Sequence, residues 1–176
     1  MTRQLIILIG LPGSGKSTVG RQLGRRLQMP FVDSDTVIEQ RLGCTIREFF
    51  EREGEDAFRD VEQQVLADLC DTSQPTVLAT GGGIVLRAAN RECLRNAGTV
   101  VYLRAAPEDL ARRLRHDVQR PLLQGVDPLA RLRDLFAVRD PFYREVATFT
   151  IDSARRSVAM MVGTVVMQLE LGGAIP

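Results

Sequence analysis

The chain has 176 residues, of which 44% are hydrophobic and 26% are charged, and its formal net charge is +1. This length suits one domain with a sizeable core, and the near-neutral charge gives no reason to expect nucleic acid or an acidic membrane surface as a partner. No segment approaches the roughly 20 apolar residues of a membrane span, so we expect a cytoplasmic protein. The three cysteines, Cys44, Cys70 and Cys93, lack metal-ligand spacing and are expected to be reduced thiols.

The first predicted strand, Leu5–Ile9, leads into a loop that fills the pattern G-x-x-x-x-G-K-[ST] from Gly10 to Ser17. A segment with helical spacing follows, which is the strand–loop–helix context that a phosphate-binding loop requires. Glycines allow successive backbone N–H groups to point at phosphate oxygens, and the helix dipole favours the same negative charge. The motif assigns Lys16 to the β- and γ-phosphates of a nucleotide and the Ser17 hydroxyl to Mg²⁺. The alternative is a glycine-rich turn without a ligand.

The composition also singles out Lys16. Among the 23 lysines and arginines of the chain, it is the only lysine. The rigid fork of an arginine cannot replace a compact ammonium group inside a narrow phosphate cradle. We therefore interpret Lys16 as a functional residue.

Apolar, strand-like runs alternate with helical patterns, and this alternation predicts a parallel sheet covered by helices on both faces. The predicted strands are Leu5–Ile9, Phe31–Val32, Thr76–Ala79, Thr99–Leu103 and Phe149–Ile151. Helix starts are indicated by a capping box at Thr45–Glu48 and by Pro107 and Pro128. The final helix is predicted from about Ser157 to Leu171, followed by a frayed tail from Gly172 to Pro176.

Ligands of such sheets bind beyond the carboxyl ends of the strands, so the residues after each strand are candidates for chemistry. Asp33 and Asp35 follow the second predicted strand. A carboxylate near the phosphates could hold Mg²⁺, and another could accept the proton of an acceptor hydroxyl. The alternative is that one of them simply caps the next helix.

A second glycine-rich turn, Gly81–Gly83, follows the third predicted strand and allows a small ligand to approach the backbone closely. That strand ends without the Asp of a Walker-B motif, which favours a small-molecule kinase over a hydrolytic ATPase. In the helical segment before it, Arg59 could grip a substrate carboxylate while Glu62 orients it and Phe58 packs against an apolar ring face. The alternative for Arg59 and Glu62 is a surface ion pair with i,i+3 spacing.

The segment Arg112–Pro121 is polar and rich in arginine, and it resembles a lid. Closure of a lid excludes water and brings an arginine onto the transferring phosphoryl group. A solvated basic loop is the alternative. In the helical segment after it, Arg139 could complete a carboxylate clamp or serve as a cation at the end of the helix.

Together these segments resemble the shikimate kinase family, and the resemblance covers nearly the whole chain. The phosphate loop alone indicates only a P-loop protein. The second Asp after strand two, the Arg-x-x-Glu, the triple glycine and the Arg…Tyr-x-Glu-Val-Ala run are more specific. The segments that carry the resemblance are Gly10–Thr18, Phe31–Asp35, Phe58–Glu62, Ala79–Gly83, Arg120–Leu122 and Arg139–Ala147.

The resemblance implies a three-layer P-loop kinase fold with a five-stranded parallel sheet of order 2-3-1-4-5. It implies one kinase domain over residues 1–176, with a substrate-binding segment at about 34–62 and a lid at about 112–125. The implied reaction is the Mg²⁺-dependent transfer of the γ-phosphoryl group of ATP to the 3-hydroxyl of shikimate, on the route to chorismate and the aromatic amino acids.

The resemblance also implies roles for individual residues. The implied catalytic residues are Lys16, Asp35 and Arg120, with Asp35 drawing the proton from the acceptor hydroxyl. The implied shikimate contacts are Asp35, Phe58, Arg59, Gly81, Gly82, Gly83 and Arg139. The implied ATP contacts are Pro12, Gly13, Ser14, Gly15, Lys16, Ser17, Thr18, Arg113, Arg120 and Arg156. The implied Mg²⁺ ligands are Ser17 and Asp33.

Two alternatives stand beside this interpretation. Within the enzymes, a gluconate kinase would also use an arginine clamp, whereas a nucleoside monophosphate kinase would want more stacking aromatics than the 5% present. Outside the enzymes, the alternative is a catalytically silent nucleotide-binding module, which would have no need of Lys16, Asp35 and Arg120 together. We expect a monomer.

Overall fold

A computed structural model of the chain describes residues 4–115 and 127–176. Its strands are β1 Leu5–Ile9, β2 Phe31–Asp33, β3 Thr76–Ala79, β4 Thr99–Arg104 and β5 Phe149–Asp152. Its helices are α1 Lys16–Leu27, α2 Ser34–Leu42, α3 Ile46–Glu53, α4 Glu55–Cys70, α5 Ala88–Ala97, α6 Pro107–Leu114, α7 Pro128–Val146 and α8 Val158–Leu171. None of these helices, within the residues described, combines the length and apolarity needed to cross a membrane.

The strands form one parallel sheet in the order β2-β3-β1-β4-β5, which confirms the predicted topology. β1 is central: its Ile7 pairs with Leu78 of β3 on one side and with Val100 of β4 on the other. Every residue of β1 is buried, as expected for a strand covered on both faces. Each of β2, β4 and β5 extends one residue beyond its prediction.

Two hydrophobic cores lie on opposite faces of the sheet. Successive side chains of a strand point to opposite faces, so β1 contributes Ile7 to one core and Leu8 to the other. Helices α4, α5, α6 and α7 pack on the first face, and α1 and α8 pack on the second. A third apolar cluster, which includes Phe58, joins α2, α3 and α4. This arrangement confirms the three predicted layers.

The helix start signals are confirmed, but the prediction of a frayed C-terminal tail is wrong. Thr45 and Glu48 form the capping box of α3, each side chain accepting a hydrogen bond from the other's backbone N–H at 3.1 Å. After α8, the N–H of Ala174 donates to the carbonyl oxygen of Leu169 at 2.9 Å, and the side chain of Ile175 is buried in the core beneath α8. Burial of one more apolar side chain therefore fixes the end of the chain.

Candidate active site

The loops that follow β1 and β3 meet the start of α2, which directly follows β2, at the carboxyl edge of the sheet. Thr80, directly after β3, donates its hydroxyl to the carbonyl oxygen of Leu8 in β1 at 3.0 Å. The next residue, Gly81, donates its N–H to the hydroxyl of Ser34, directly after β2, at 3.3 Å. Polar groups from neighbouring strands thus gather where parallel sheets bind ligands. Ser34 was not predicted as a site residue, although its place between two candidate aspartates is a signal for it.

The loop after β1 has the backbone shape of a phosphate cradle. Gly13 and Gly15 have φ angles of 84° and 93°, a left-handed conformation that residues with a Cβ rarely adopt. Helix α1 begins at Lys16, so its N-terminus lies at the loop, where its dipole favours anions. Lys16 is only 8% exposed, and its ammonium donates to the carbonyl oxygens of Gly10 at 2.8 Å and Leu11 at 2.9 Å. The phosphate loop therefore holds the positive charge of Lys16 against its own backbone.

Asp33, the last residue of β2, links the phosphate loop to the first turn of α2. Its Oδ2 accepts a hydrogen bond from the Ser17 hydroxyl at 2.6 Å. Its Oδ1 accepts from the backbone N–H of Asp35 at 3.0 Å and thereby caps α2. The capping role, considered from the sequence as an alternative to a functional one, is thus fulfilled together with a contact to Ser17. A hydroxyl and a carboxylate this close are hard oxygen donors of the kind that Mg²⁺ prefers, so these residues fit the ion.

Asp35 is a carboxyl group in an environment that disfavours its charge. Burial, followed by the neighbouring carboxylates of Asp33 and Glu62, raises the pKa of Asp35 to about 6, whereas Lys16 lowers it. A carboxylate with a raised pKa binds a proton more strongly than an ordinary Asp and is still largely ionised at neutral pH. Asp35 is therefore suited to accept a proton.

Side chains pack closely against the turn Gly81–Gly83 and leave little room for a Cβ at any of its three positions. A Cβ on the first glycine would lie 2.8 Å from Oδ1 of Asp35. A Cβ on the second would lie 2.9 Å from Cδ of Pro12 in the phosphate loop and 3.1 Å from Nη1 of Arg139, and a Cβ on the third would overlap the guanidinium group of Arg59. One short turn therefore brings together a carboxylate, two guanidinium groups and the phosphate loop.

Arg59 and Glu62 form a buried pair rather than a surface pair. Nη1 of Arg59 lies 2.8 Å from Oε1 of Glu62, whose side chain is 2% exposed. Burial raises the pKa of Glu62, and the charge of Arg59 opposes this rise. Within the residues described, Nε of Arg59 is buried and has no hydrogen-bond partner, which leaves a donor for a ligand. The ring of Phe58 lies beneath the guanidinium group, with 5.1 Å between Cζ and the ring centroid.

Arg139 of α7 is buried in the same place, with 7% of the residue exposed. Burial lowers the pKa of this guanidinium group, and the charge of Arg59 acts in the same direction, whereas Tyr143 and Glu62 raise it. Even so, an arginine keeps its proton at neutral pH. Arg59 pairs with Glu62 at 2.8 Å and with the exposed Glu55 at 3.4 Å, whereas Arg139 forms no ion pair among the described residues. Arg139 is therefore the guanidinium group whose charge a carboxylate ligand would balance.

The remaining predicted residues lie at or beyond the edge of this site. Arg113 donates to the carbonyl oxygens of Gly13 at 3.4 Å and Ser153 at 3.1 Å, which puts its guanidinium beside the phosphate loop. Arg156 is exposed and donates to the hydroxyl of Thr164 on α8 at 3.3 Å, with no contact to the phosphate loop in the part of the chain that the structure describes. Arg120, and most of the predicted lid, lie outside the described residues.

The chain is similar to proteins of one family along almost all of its length. The shikimate kinase family model matches residues 12–170. The chain is 60% identical to the shikimate kinase of Paracidovorax citrulli, covering 97% of this chain and 94% of that protein. It is 55% identical to the shikimate kinase of Burkholderia lata, covering 97% of this chain and 92% of that protein.

A solved structure gives the same result. The shikimate kinase of Acinetobacter baumannii, in complex with shikimate, matches this fold with a TM-score of 0.90 at 44% identity, covering 99% of this chain and 97% of that one. Sequence and fold thus agree, and the chain belongs to the shikimate kinase family.

Proposed function

We propose that this protein transfers the γ-phosphoryl group of ATP to the 3-hydroxyl of shikimate, which supplies the route to chorismate and the aromatic amino acids. The observation that carries the proposal is the meeting of Asp35, Arg59 and Arg139 at the turn Gly81–Gly83, beside the phosphate loop. Membership in the family supports it, as does the shikimate complex of the relative from Acinetobacter baumannii. The proposal includes one kinase domain over residues 1–176, acting as a monomer in the cytoplasm.

The carboxylate of shikimate is the anion for the two arginines. A guanidinium group binds a carboxylate through two parallel hydrogen bonds, which fixes direction as well as distance. Arg59 is already held by Glu62, and little further ordering is needed when the ligand binds. The backbone of the turn Gly81–Gly83 faces the substrate, and the ring of Phe58 provides an apolar surface beside Arg59.

Phosphoryl transfer needs positioning and charge stabilisation rather than covalent help from the protein. Clamping the carboxylate orients the shikimate ring, so that its 3-hydroxyl meets Asp35 on one side and the terminal phosphate on the other. Asp35 accepts the hydroxyl proton as the new O–P bond forms. Lys16 stabilises the negative charge on the transferring group, and Arg120 is proposed to do the same.

Ser17 and Asp33 would hold Mg²⁺, the hydroxyl as a direct ligand and the carboxylate as its partner. The ion would neutralise charge on the β- and γ-phosphates. The proposed contacts of the nucleotide are the phosphate loop from Pro12 to Thr18 and, on the adenine side, Arg113 and Arg156.

The test is an ADP-release assay with ATP, Mg²⁺ and a panel of acceptors. We expect turnover with shikimate and none above background with gluconate or nucleoside monophosphates. Turnover that prefers gluconate would replace the proposal with a gluconate kinase. Calorimetric binding of shikimate and ATP without product would instead favour a silent nucleotide-binding module.

A further inference from the structure

The two tyrosines of the chain, Tyr102 and Tyr143, contact each other beside the proposed clamp. Both are buried, and their ring centroids are 4.9 Å apart. The Tyr143 hydroxyl donates to the carbonyl oxygen of Gly82 and also hydrogen-bonds Arg139. The direction of the Arg139 guanidinium therefore depends on where α7 places Tyr143 against Tyr102 of β4.

Asp140, which follows Arg139 in α7, ties that helix to the sheet. Its Oδ1 accepts a hydrogen bond from the Tyr102 hydroxyl at 2.7 Å and lies 3.4 Å from Nε of Arg104, also in β4. Its Oδ2 accepts from Nε of Arg144 at 2.9 Å. The Asp140 side chain is 13% exposed, so its bonds to Tyr102 and Arg104 are partly shielded from water, whereas its bond to Arg144 is exposed.

Tyr102 remains a donor in this arrangement. Burial and the hydrogen bond to Asp140 raise the pKa of the Tyr102 phenol above its ordinary value. At neutral pH the phenol is therefore protonated, and the carboxylate always has an O–H group to accept from. Helix α7 is thus fixed to β4 through Asp140 and to the turn at Gly82 through Tyr143, both within four residues of Arg139.

We propose that Asp140 and Tyr102 are positioning residues, which hold α7 in the register that aims Arg139 at the carboxylate of the acceptor. This inference rests on the proposed function, because it assigns Arg139 to that carboxylate. Neither residue touches the substrate in this proposal. Their contribution matters because a guanidinium group binds a carboxylate through two parallel hydrogen bonds, so a change in its direction weakens the binding of the acceptor.

The principal variant is Asp140→Asn. The amide keeps the size of the carboxylate but loses its charge. Its oxygen can still accept from Tyr102 and Arg104, whereas its NH₂ group then meets the Nε donor of Arg144. We expect the shikimate KM and the calorimetric Kd for shikimate to rise about tenfold. The MgATP KM and kcat should stay within about twofold, since neither the phosphate loop nor Asp35 contacts Asp140 in the described residues.

A second variant and a control separate positioning from general loosening of α7. Tyr102→Phe removes only the hydroxyl, and we expect about a threefold rise in the shikimate KM, which carries the test if Asp140→Asn does not fold. The control, Glu145→Gln, breaks the ion pairs of α7 with Arg91 and Arg95 of α5. We expect its KM values to match the wild type within about twofold.

Intrinsic fluorescence gives a readout besides activity. The chain has no tryptophan, so its emission comes from Tyr102 and Tyr143 alone. The fluorescence of a phenol that donates to a carboxylate is quenched, so Asp140→Asn should emit more strongly than the wild type. Addition of shikimate should change the emission of the wild type and of the variant.

Three outcomes decide the inference. A selective rise in the shikimate KM and Kd for Asp140→Asn or Tyr102→Phe, with Glu145→Gln unchanged, supports it. Unchanged shikimate binding in the folded variants overturns the inference. An equal rise in the shikimate and MgATP KM values of Asp140→Asn, Tyr102→Phe and Glu145→Gln also overturns it. A wild-type protein that fails to phosphorylate shikimate overturns the proposed function instead, and is recognised before any variant is made.

Discussion

Lys16 is held by the phosphate loop to which it belongs. Its ammonium is enclosed by carbonyl oxygens of the loop that it serves. We expect Lys16→Met to abolish turnover, because the charge that stabilises the transferring phosphoryl group is lost. Lys16→Arg should be inactive as well, since a planar fork does not fit a site where an 8% exposed lysine already fills the space. Initial rates of ADP release at saturating shikimate measure both, and an active Lys16→Met variant would contradict the assignment.

Arg59 and Arg139 belong to the proposed acceptor side of the site. Arg59→Ala and Arg139→Ala should each weaken shikimate binding by about 3–5 kcal/mol, the usual cost of breaking a buried charge pair. The affinity for MgATP should not change. Titration calorimetry with each ligand measures the two effects separately.

The matched control for the clamp is Arg95→Ala, which removes an exposed ion pair with Glu145. An exposed pair contributes less than about 1 kcal/mol, so shikimate binding should be unchanged. Clamp variants that weakened only MgATP binding would show that the two arginines serve the nucleotide.

Gly83 tests how closely the turn approaches Arg59. We expect Gly83→Ala to push the guanidinium aside, because a Cβ would overlap it, and to raise the shikimate KM at least tenfold. Gly163→Ala is the comparison: a Cβ there would meet only Nη1 of Arg26, at 4.0 Å. Equal shikimate KM values for the two variants would contradict the close approach.

Residue types and their order along the chain were enough to select most candidates for the site. The spacing of Arg59 and Glu62, however, was equally compatible with a surface pair, because i,i+3 spacing carries no information on burial. Similarly, the double contact of Asp33 depends on the approach of α1 to β2, which no local pattern encodes. The roles of the site residues stay predictions until variants are measured.

At the scale of elements, periodicity and start signals predicted the strands to within one residue, because these features are local. The prediction of a frayed C-terminal tail was wrong because its glycines and proline are typical of a frayed end, whereas the burial of Ile175 depends on the distant core. The link from α7 to β4 through Asp140 was missed for the same reason. Its partner Tyr102 lies 38 residues away, and neither residue belongs to a motif.

Helix α8 offers a test of stability that is independent of the site. Gly163 lies in its interior, where glycine costs conformational entropy and has no compensating close contact. We expect Gly163→Ala to raise the free energy of unfolding by about 0.5–1 kcal/mol, with activity unchanged. Denaturant midpoints measured on both proteins decide this, and a destabilised variant would indicate that the backbone of α8 needs the glycine.

At the scale of the whole molecule, buried phenols link stability to alkaline pH. Burial raises the pKa of both Tyr102 and Tyr143 above the ordinary value of about 10. As the pH rises through about 10, the unfolded chain releases its phenolic protons while the folded chain retains them. The unfolded state then binds fewer protons, and the free energy of unfolding falls with rising pH.

Denaturant unfolding at about pH 8 and about pH 10.5, with the phenolate absorbance of the folded protein, measures this effect. In Tyr102→Phe the free energy of unfolding should fall less between these two pH values, because one phenol with a raised pKa has been removed. Native tyrosines that ionise at about pH 10, like free tyrosine, would contradict the burial.

The central place of β1 in the sheet has a consequence for synthesis. β1 precedes both of its neighbours in the chain, since β3 and β4 begin only at Thr76 and Thr99. During that interval, five apolar residues with strand propensity have both edges unpaired, a condition that favours aggregation. Because pairing between distant segments is slow, the sheet cannot close around β1 until the chain through Arg104 at the end of β4 has been made.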